Sequence, residues 1–270
     1  MDLRGASAES VAALASELAT AVTGSEDRAV TVAESLFAVA ATLREEPALR
    51  RFVTDSSVPA QARSGAVRQV LGGKVDGIAL DVVASAAEKR WTRGGDIADA
   101  VEHAGELAAV RSAGTEIDRL GDEIFALKQA VTGNAELRDA LSDPVRSRDD
   151  KARLIEDLLG GKALPGTVAL AKQATAGTYR TVTQALGAYA EVAGSVKGEG
   201  VATVRVARPL NDADVARLNA GLARQYGRPV HLNVVVDPAV IGGIKVELGD
   251  HVIDGTIATR LDDARRALAG

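Results

Sequence analysis

The chain has 270 residues, a net charge of −5, no cysteine, one tryptophan and 3% aromatic residues. An acidic surface poor in aromatics argues against nucleic acid as a partner, against a base-stacking platform and against direct docking on anionic lipid. The lack of cysteine excludes a disulfide framework, a thiolate metal site and a cysteine nucleophile.

The hydrophobic fraction of 46% is enough for packed cores built from Ala, Leu and Val. The length suggests one large domain or two to three small ones. The first apolar stretch is broken by Glu9, Ser16 and Glu17, so no signal peptide is expected. No window approaches ~18 uncharged apolar residues, so membrane association is expected only through partners.

Residues 7–22 carry Val11, Leu14, Leu18 and Val22 on one helical face, and Gly24-Ser25 breaks the run. Val32, Leu36, Val39 and Leu43 mark a second helix over 26–43, ended by Pro47. The stretch 47–53 is ambiguous. Helices follow over 59–71, stopped by Gly72-Gly73, and over 78–91, stopped by Gly94-Gly95. Asp96 can cap a further helix that runs through Leu107 and beyond.

The second stretch repeats the first. PALRRFVTDSSVPAQARSGAVRQVLGGK (47–74) aligns without a gap with AELRDALSDPVRSRDDKARLIEDLLGGK (135–162), an offset of 88 residues that carries Leu49 onto Leu137. Asp55 meets Asp143, Arg63 meets Lys151, and Gly72, Gly73 and Lys74 meet Gly160, Gly161 and Lys162. Apolar pattern, charges and glycine stops agree together, which reads as an internal duplication of a helical unit. The second copy is expected to hold helices near 116–131, 135–141, 148–159, 167–176 and 181–193.

Gly194 to Gly200 reads as a short linker. Val201–Leu210 alternates as a strand that Pro209 stops, and Asn211-Asp212 can cap a helix over 213–226. Val230–Val236 reads as a second strand. Ile244, Val246 and Leu248 alternate with Lys245 and Glu247, and Gly249-Asp250 reads as a two-residue II′ hairpin loop. Leu248 then faces His251, and Val246 faces Ile253. Gly255 ends the return strand. Thr256 can cap a last helix with Ile257, Leu261, Ala264 and Leu268 on one face.

The expected fold is mostly α with a small α+β C-terminal domain. Two helical bundles, residues 1–102 and 103–195, precede a strand-helix-strand-hairpin-helix module over 196–270.

Asp237-Pro238, Ile241-Gly242-Gly243, Gly249-Asp250, Ile253-Asp254-Gly255 and Arg260-Leu261 stand in order and at fixed spacing. This set resembles the delta subunit of F-type ATP synthases, called the oligomycin-sensitivity-conferring protein in mitochondria. With the second helical copy in front, the resemblance extends over about 103–270, and the first copy is extra relative to shorter members. It implies a non-catalytic peripheral-stalk subunit, present as one copy per complex on the cytoplasmic face of the cell membrane. The helical domain would grip the N-terminal helices of the alpha subunits, and the C-terminal domain would hold the b subunit. A groove lined by Leu107 and Val110 on one helix and Val168 and Ala171 on another is the expected seat, chosen by pattern.

The remaining motifs point away from catalysis. Gly-Gly-Lys at 72–74 and 160–162 is followed by Val75 and Ala163 and preceded by helices, so both read as helix C-caps and not phosphate loops. His103, His231 and His251 lack a second histidine at ligand spacing, and no G-x-S-x-G elbow is present. No enzyme activity, metal or cofactor is expected. Two other classes stand beside the stator reading: a free-standing helical adaptor, and a small-ligand-binding α+β module on a helical scaffold.

Overall fold

A computed structural model describes residues 3–176, 178–238, 240, 242–249 and 251–257. Contacts gather the chain into two compact units, Met1–Val192 and Ala193–Gly270.

Among the described residues, the regular elements of the first unit are all helices. It begins with α1 (Ala6–Val22), α2 (Glu26–Glu45), α3 (Pro47–Thr54), α4 (Ala60–Leu71), α5 (Gly77–Glu88) and α6 (Asp96–Arg111). A 3-10 turn at Gly114–Glu116 leads to α7 (Ile117–Gly133), α8 (Ala135–Ser142), α9 (Arg148–Leu159), α10 (Pro165–Ala174) and α11 (Val182–Lys197). The stripes expected on α1 and α2 form core apart from Val11, which is half-buried: Leu14, Leu18, Val22, Val32, Leu36, Val39 and Leu43 are all buried.

The ambiguous stretch after Pro47 is helical. Proline sits in the first turn of α3, where its missing N–H costs no helical bond. Side chains cap several of the other helices. Asp76 accepts from the Ile78 N–H at 2.8 Å, Asn134 from Leu137 at 3.0 Å and Ser147 from Asp150 at 3.1 Å.

The offset of 88 residues recurs in the geometry. It carries the bounds of α3 onto those of α8 and the bounds of α4 onto those of α9. Asp55 Oδ1 accepts from the Ser57 N–H, and Asp143 Oδ1 from the Val145 N–H, both at 2.8 Å. Arg50 Nη1 donates to the Arg44 carbonyl at 3.1 Å, and Arg138 Nη1 to the Thr132 carbonyl at 3.3 Å. Both Gly-Gly-Lys stretches close a helix: Gly73 has φ 71° and Gly161 φ 69°, and Lys162 Nζ donates to the Leu158 carbonyl at 3.1 Å.

α6 occupies the centre of this unit. Its residues from Asp96 to Val110 are buried on every side, apart from Asp99 and His103, which are partly exposed. It packs against α1, α2 and α5 and also against α7 and α10. A helix buried nearly all round needs neighbours all round, and its buried carboxylates need partners among them. The expected division after residue 102 falls inside this helix.

The second unit is a small α+β domain. α11 does not stop at Gly194, as the expected linker would require. It runs to Lys197, and Gly198 at φ 75° makes the turn. β1 (Gly200–Val206), α12 (Asp212–Tyr226), β2 (Val230–Val236), β3 (Ile244–Leu248) and β4 (His251–Asp254) follow. The Asn211 side chain caps α12, accepting from the Asp214 N–H at 2.8 Å. The sheet order is β2-β1-β3-β4, with β1 parallel to β2 and antiparallel to β3. Ala202, Val204, Val206, Leu222, Val230, Val246 and Leu248 make its core. The expected terminal helix beyond Ile257 lies outside the described residues.

The hairpin has the expected register: Leu248 pairs with His251 and Val246 with Ile253. Gly249 has φ 55°, in the left-handed region; its loop partner Asp250 lies outside the described residues. A β-branched residue resists that conformation. Gly249→Val is expected to destabilise the C-terminal unit by about 1–3 kcal/mol. Amide exchange on the full chain checks this, with faster exchange in β1 and β3 and unchanged exchange in the helical unit.

Candidate functional site

The C-terminal motif residues form a backbone clasp around the end of β4. Gly255 N–H donates to the Ile244 carbonyl and Ile257 N–H to the Gly242 carbonyl, both at 2.9 Å. Asp254 Oδ1 accepts from the Thr256 N–H at 3.0 Å. At Gly243, φ is 84° and an added Cβ would press on the Gly255 carbonyl and lie 2.9 Å from Thr256 Cα. Glycine is needed there because two backbone segments meet.

Asp237 belongs to a charged row on the sheet. Its N–H donates to the Val206 carbonyl at 2.8 Å, and its carboxylate lies 4.0 Å from Arg205 Nη1. Arg205 Nε is 3.8 Å from Glu247, which also pairs with Lys245 at 2.9 Å. Pro238, exposed, follows as the chain leaves β2. The structure thus brings Gly242, Gly243, Asp254 and Gly255 together, while Gly249 stands at the opposite end of the hairpin. These residues shape a module, and no nucleophile–base pair is among them.

The four residues expected to line a partner groove lie inside the helical unit. Leu107, Val110, Val168 and Ala171 are 7%, 0%, 8% and 1% exposed. They are core because α6 and α10 pack on each other and α2 packs against both. Phe37 of α2 fits against Gly105 of α6, where an added Cβ would fall 2.6 Å from the ring. A partner therefore cannot reach any of the four without a rearrangement of the helical packing.

Three surface features remain. An apolar pocket of about 90 Å³ is lined by Leu43, Leu49, Phe52, Val67, Val70 and Leu71, with Phe52 and Val70 exposed beside it. Leu158, which falls on Val70 at the repeat offset, is exposed as well. A cleft of about 360 Å³ lies between α2, α9 and α10. Its basic groups are each paired: Arg44 with Asp99 and Glu102, Arg148 with Glu45 at 3.3 Å, and Lys172 with Glu156 at 2.6 Å. In the C-terminal unit a cleft of about 480 Å³ runs between α12 and the hairpin, lined by Leu210, Leu218, Leu222, Ile244, Val246 and Ile253.

One polar cluster was not foreseen. Glu102 and Glu106 of α6 are each 3% exposed. Glu102 accepts from Arg44 Nη2 at 2.5 Å, from Thr178 Oγ1 at 2.9 Å and from Gln173 Nε2. Glu106 pairs with His103 Nδ1 at 2.8 Å and accepts from the Tyr179 hydroxyl at 3.4 Å. Tyr189 stacks edge-on against Tyr179 at 5.9 Å, and its buried hydroxyl has no hydrogen-bond partner among the described residues. Burial first, then the charges of Glu106 and Glu102, push both phenols well above the usual range, so they stay protonated. Alone, these carboxylates look like a solvated helix face. The repeat could have exposed them, because Glu102 and Glu106 fall on the buried Leu14 and Leu18.

No helix among the described residues is long and apolar enough to cross a membrane.

Comparison with known proteins matches residues 104–268 to the profile of the ATP synthase delta (OSCP) subunit. The chain is 54% identical to "ATP synthase subunit delta" of Nocardioides sp. over 269 residues, covering 99% of this chain and 98% of that one. It is 42% identical to the protein of the same description in Kineococcus radiotolerans, over 88% of this chain and 87% of the relative. For the Streptomyces coelicolor protein the identity is 37%, over 99% and 98%. The residues before 104 lie outside the family profile but inside the Nocardioides alignment.

Proposed function

We propose, since the chain belongs to the ATP synthase delta (OSCP) subunit family, that it acts as the peripheral-stalk linker of a rotary ATP synthase. It is a non-catalytic subunit of that complex. The helical unit holds the catalytic head through the N-terminal helices of alpha subunits, and the C-terminal unit holds the b subunit. One copy serves each complex, at the cytoplasmic face of the membrane, reached only through partners.

The observation that carries this reading is similarity along nearly the whole chain to delta subunits of like length. Two surface features support it. The apolar cleft between α12 and the hairpin is suited to one face of an amphipathic helix, as a distal b segment would supply. The exposed Phe52, Val70 and Leu158 give the helical unit apolar anchors of the same kind.

We also infer that the helical unit is two six-helix repeats, α1–α6 and α6–α11, which share α6. At the offset of 88 residues α1 falls on α6 and α5 on α10, and α1 packs against α5 as α6 packs against α10.

Affinity capture of the tagged chain from detergent-solubilised membranes tests the stalk reading. Recovery of alpha and b subunits in constant proportion is the expected result. Capture of soluble partners alone would replace it with a free-standing adaptor. A tightly bound small molecule without those subunits would favour a ligand-binding module.

A further inference from the structure

At the two positions where the first repeat buries Leu14 and Leu18, the shared helix buries Glu102 and Glu106. A buried carboxylate is costly unless paired and hydrogen-bonded. Glu102 is held by three donors from three places: Arg44 near the end of α2, Gln173 on α10, and Thr178 in the connection from α10 to α11. Arg44 also bonds Asp99 at 2.8 Å, one turn earlier on α6.

In the first repeat the corresponding connection is tied down differently. Ser7 on α1 accepts from the Thr92 N–H at 2.8 Å, and Ser10 donates to the Arg90 carbonyl at 2.8 Å. Positions 95 and 98, which correspond to those serines, are Gly95 and Ala98 and offer no such side-chain bonds. Trp91 corresponds to Tyr179, and where the indole N–H finds the Ala86 carbonyl at 2.9 Å, the phenol turns to Glu106.

We propose that Glu102 is a clamp that fixes the second repeat to the first. Its carboxylate joins α2 of one repeat to α10 and the following connection of the other, through a helix both repeats use. The stator function is not needed for this to hold. The clamp is a positioning device: it sets the seam between repeats and is not a general stabiliser of either.

The test uses the full chain and reads native-state amide exchange over 172–182, with α3 and α4 as the internal reference. Glu102→Leu restores the residue type of position 14. It strands Gln173 and Thr178 and removes one of the two acceptors of Arg44. Exchange at 172–182 is expected to rise by roughly a hundredfold, with the reference region near its original rate. Arg44→Leu/Glu102→Leu is expected to exchange more slowly than Glu102→Leu, because no partly stranded cation is left. Thr178→Val, which deletes one donor, is expected to give roughly a tenfold rise.

Unchanged exchange in all three variants would overturn the clamp. So would a uniform rise across the whole helical unit, or single effects that merely add in the double variant. Should Glu102→Leu fail to fold, the milder Thr178→Val still decides: a local rise at 172–182 supports the clamp, and none overturns it.

Discussion

A chain that ends after Lys197 is expected to abolish proton-driven ATP synthesis while leaving ATP hydrolysis intact. It keeps the helical unit, Met1–Val192, and the whole of α11, but loses the sheet, α12 and the clasp around β4. Under the stalk reading, the shortened chain still holds the catalytic head and no longer reaches the b subunit. A head without an anchor turns with its rotor, so the torque does no chemical work. Hydrolysis persists because this subunit supplies no catalytic residue.

Membranes carrying the shortened chain are expected to release the head on washing, and their ATP synthesis to fall to that of membranes lacking the protein. Hydrolysis by the released head is the control. Normal coupled synthesis, with the shortened chain shown to be present and bound, would refute the stalk reading.

The second large effect is at Gly166, in the first turn of α10. An added Cβ would overlap the Ala109 carbonyl oxygen of α6 and lie 2.6 Å from Ser112 Oγ and 3.1 Å from Leu120 Cδ1. The nearest atom is backbone of a helix packed on every side, so it cannot step aside alone. Gly166→Ala is expected to cost about 2–4 kcal/mol, as overpacking of a tight core does. At about 2–4 °C for each kcal/mol, the helical unit should melt roughly 4–16 °C lower. Gly121→Ala is the contrasting case. It lies within α7 with nothing near its added Cβ, and alanine there should stabilise by about 0.5–1 kcal/mol. Thermal unfolding of the two variants in parallel separates crowding at the α6–α10 contact from a general response to losing glycine.

Local signals were legible wherever the code is local. The stripe of Leu14, Leu18 and Val22 marked α1 because one face of that helix is core and the other is wet. The hairpin register followed from alternation about Gly249, and both Gly-Gly-Lys stretches could be read as helix ends.

What depended on tertiary placement was not legible. Leu107, Val110, Val168 and Ala171 looked like a groove because periodicity shows that a face is apolar, not what covers it. Glu102 and Glu106 looked like surface charge because burial of a carboxylate is decided by donors far along the chain, at Arg44, Gln173 and Thr178. Gly194 looked like a break because glycine is a weak helix former. There it is tolerated inside α11, where an added Cβ would collide with Val201 Cγ2 at 2.6 Å.

If the helical unit is two repeats that share α6, the increment of growth is five helices instead of six. A tandem copy joined end to end needs a new first helix and a new interface between finished surfaces. On that reading the last helix of one repeat serves as the first of the next, so 88 residues extend the unit and the junction is already core. The same economy narrows what evolution can change. A residue on α1 answers to neighbours in one repeat, but α6 as a whole packs against α1, α2 and α5 on the one hand and α7 and α10 on the other. Ile97 lines an apolar pocket with side chains of α2, α3, α4 and α5, so loss of those helices would bare it, and a descendant reduced to one repeat would need a polar side chain there.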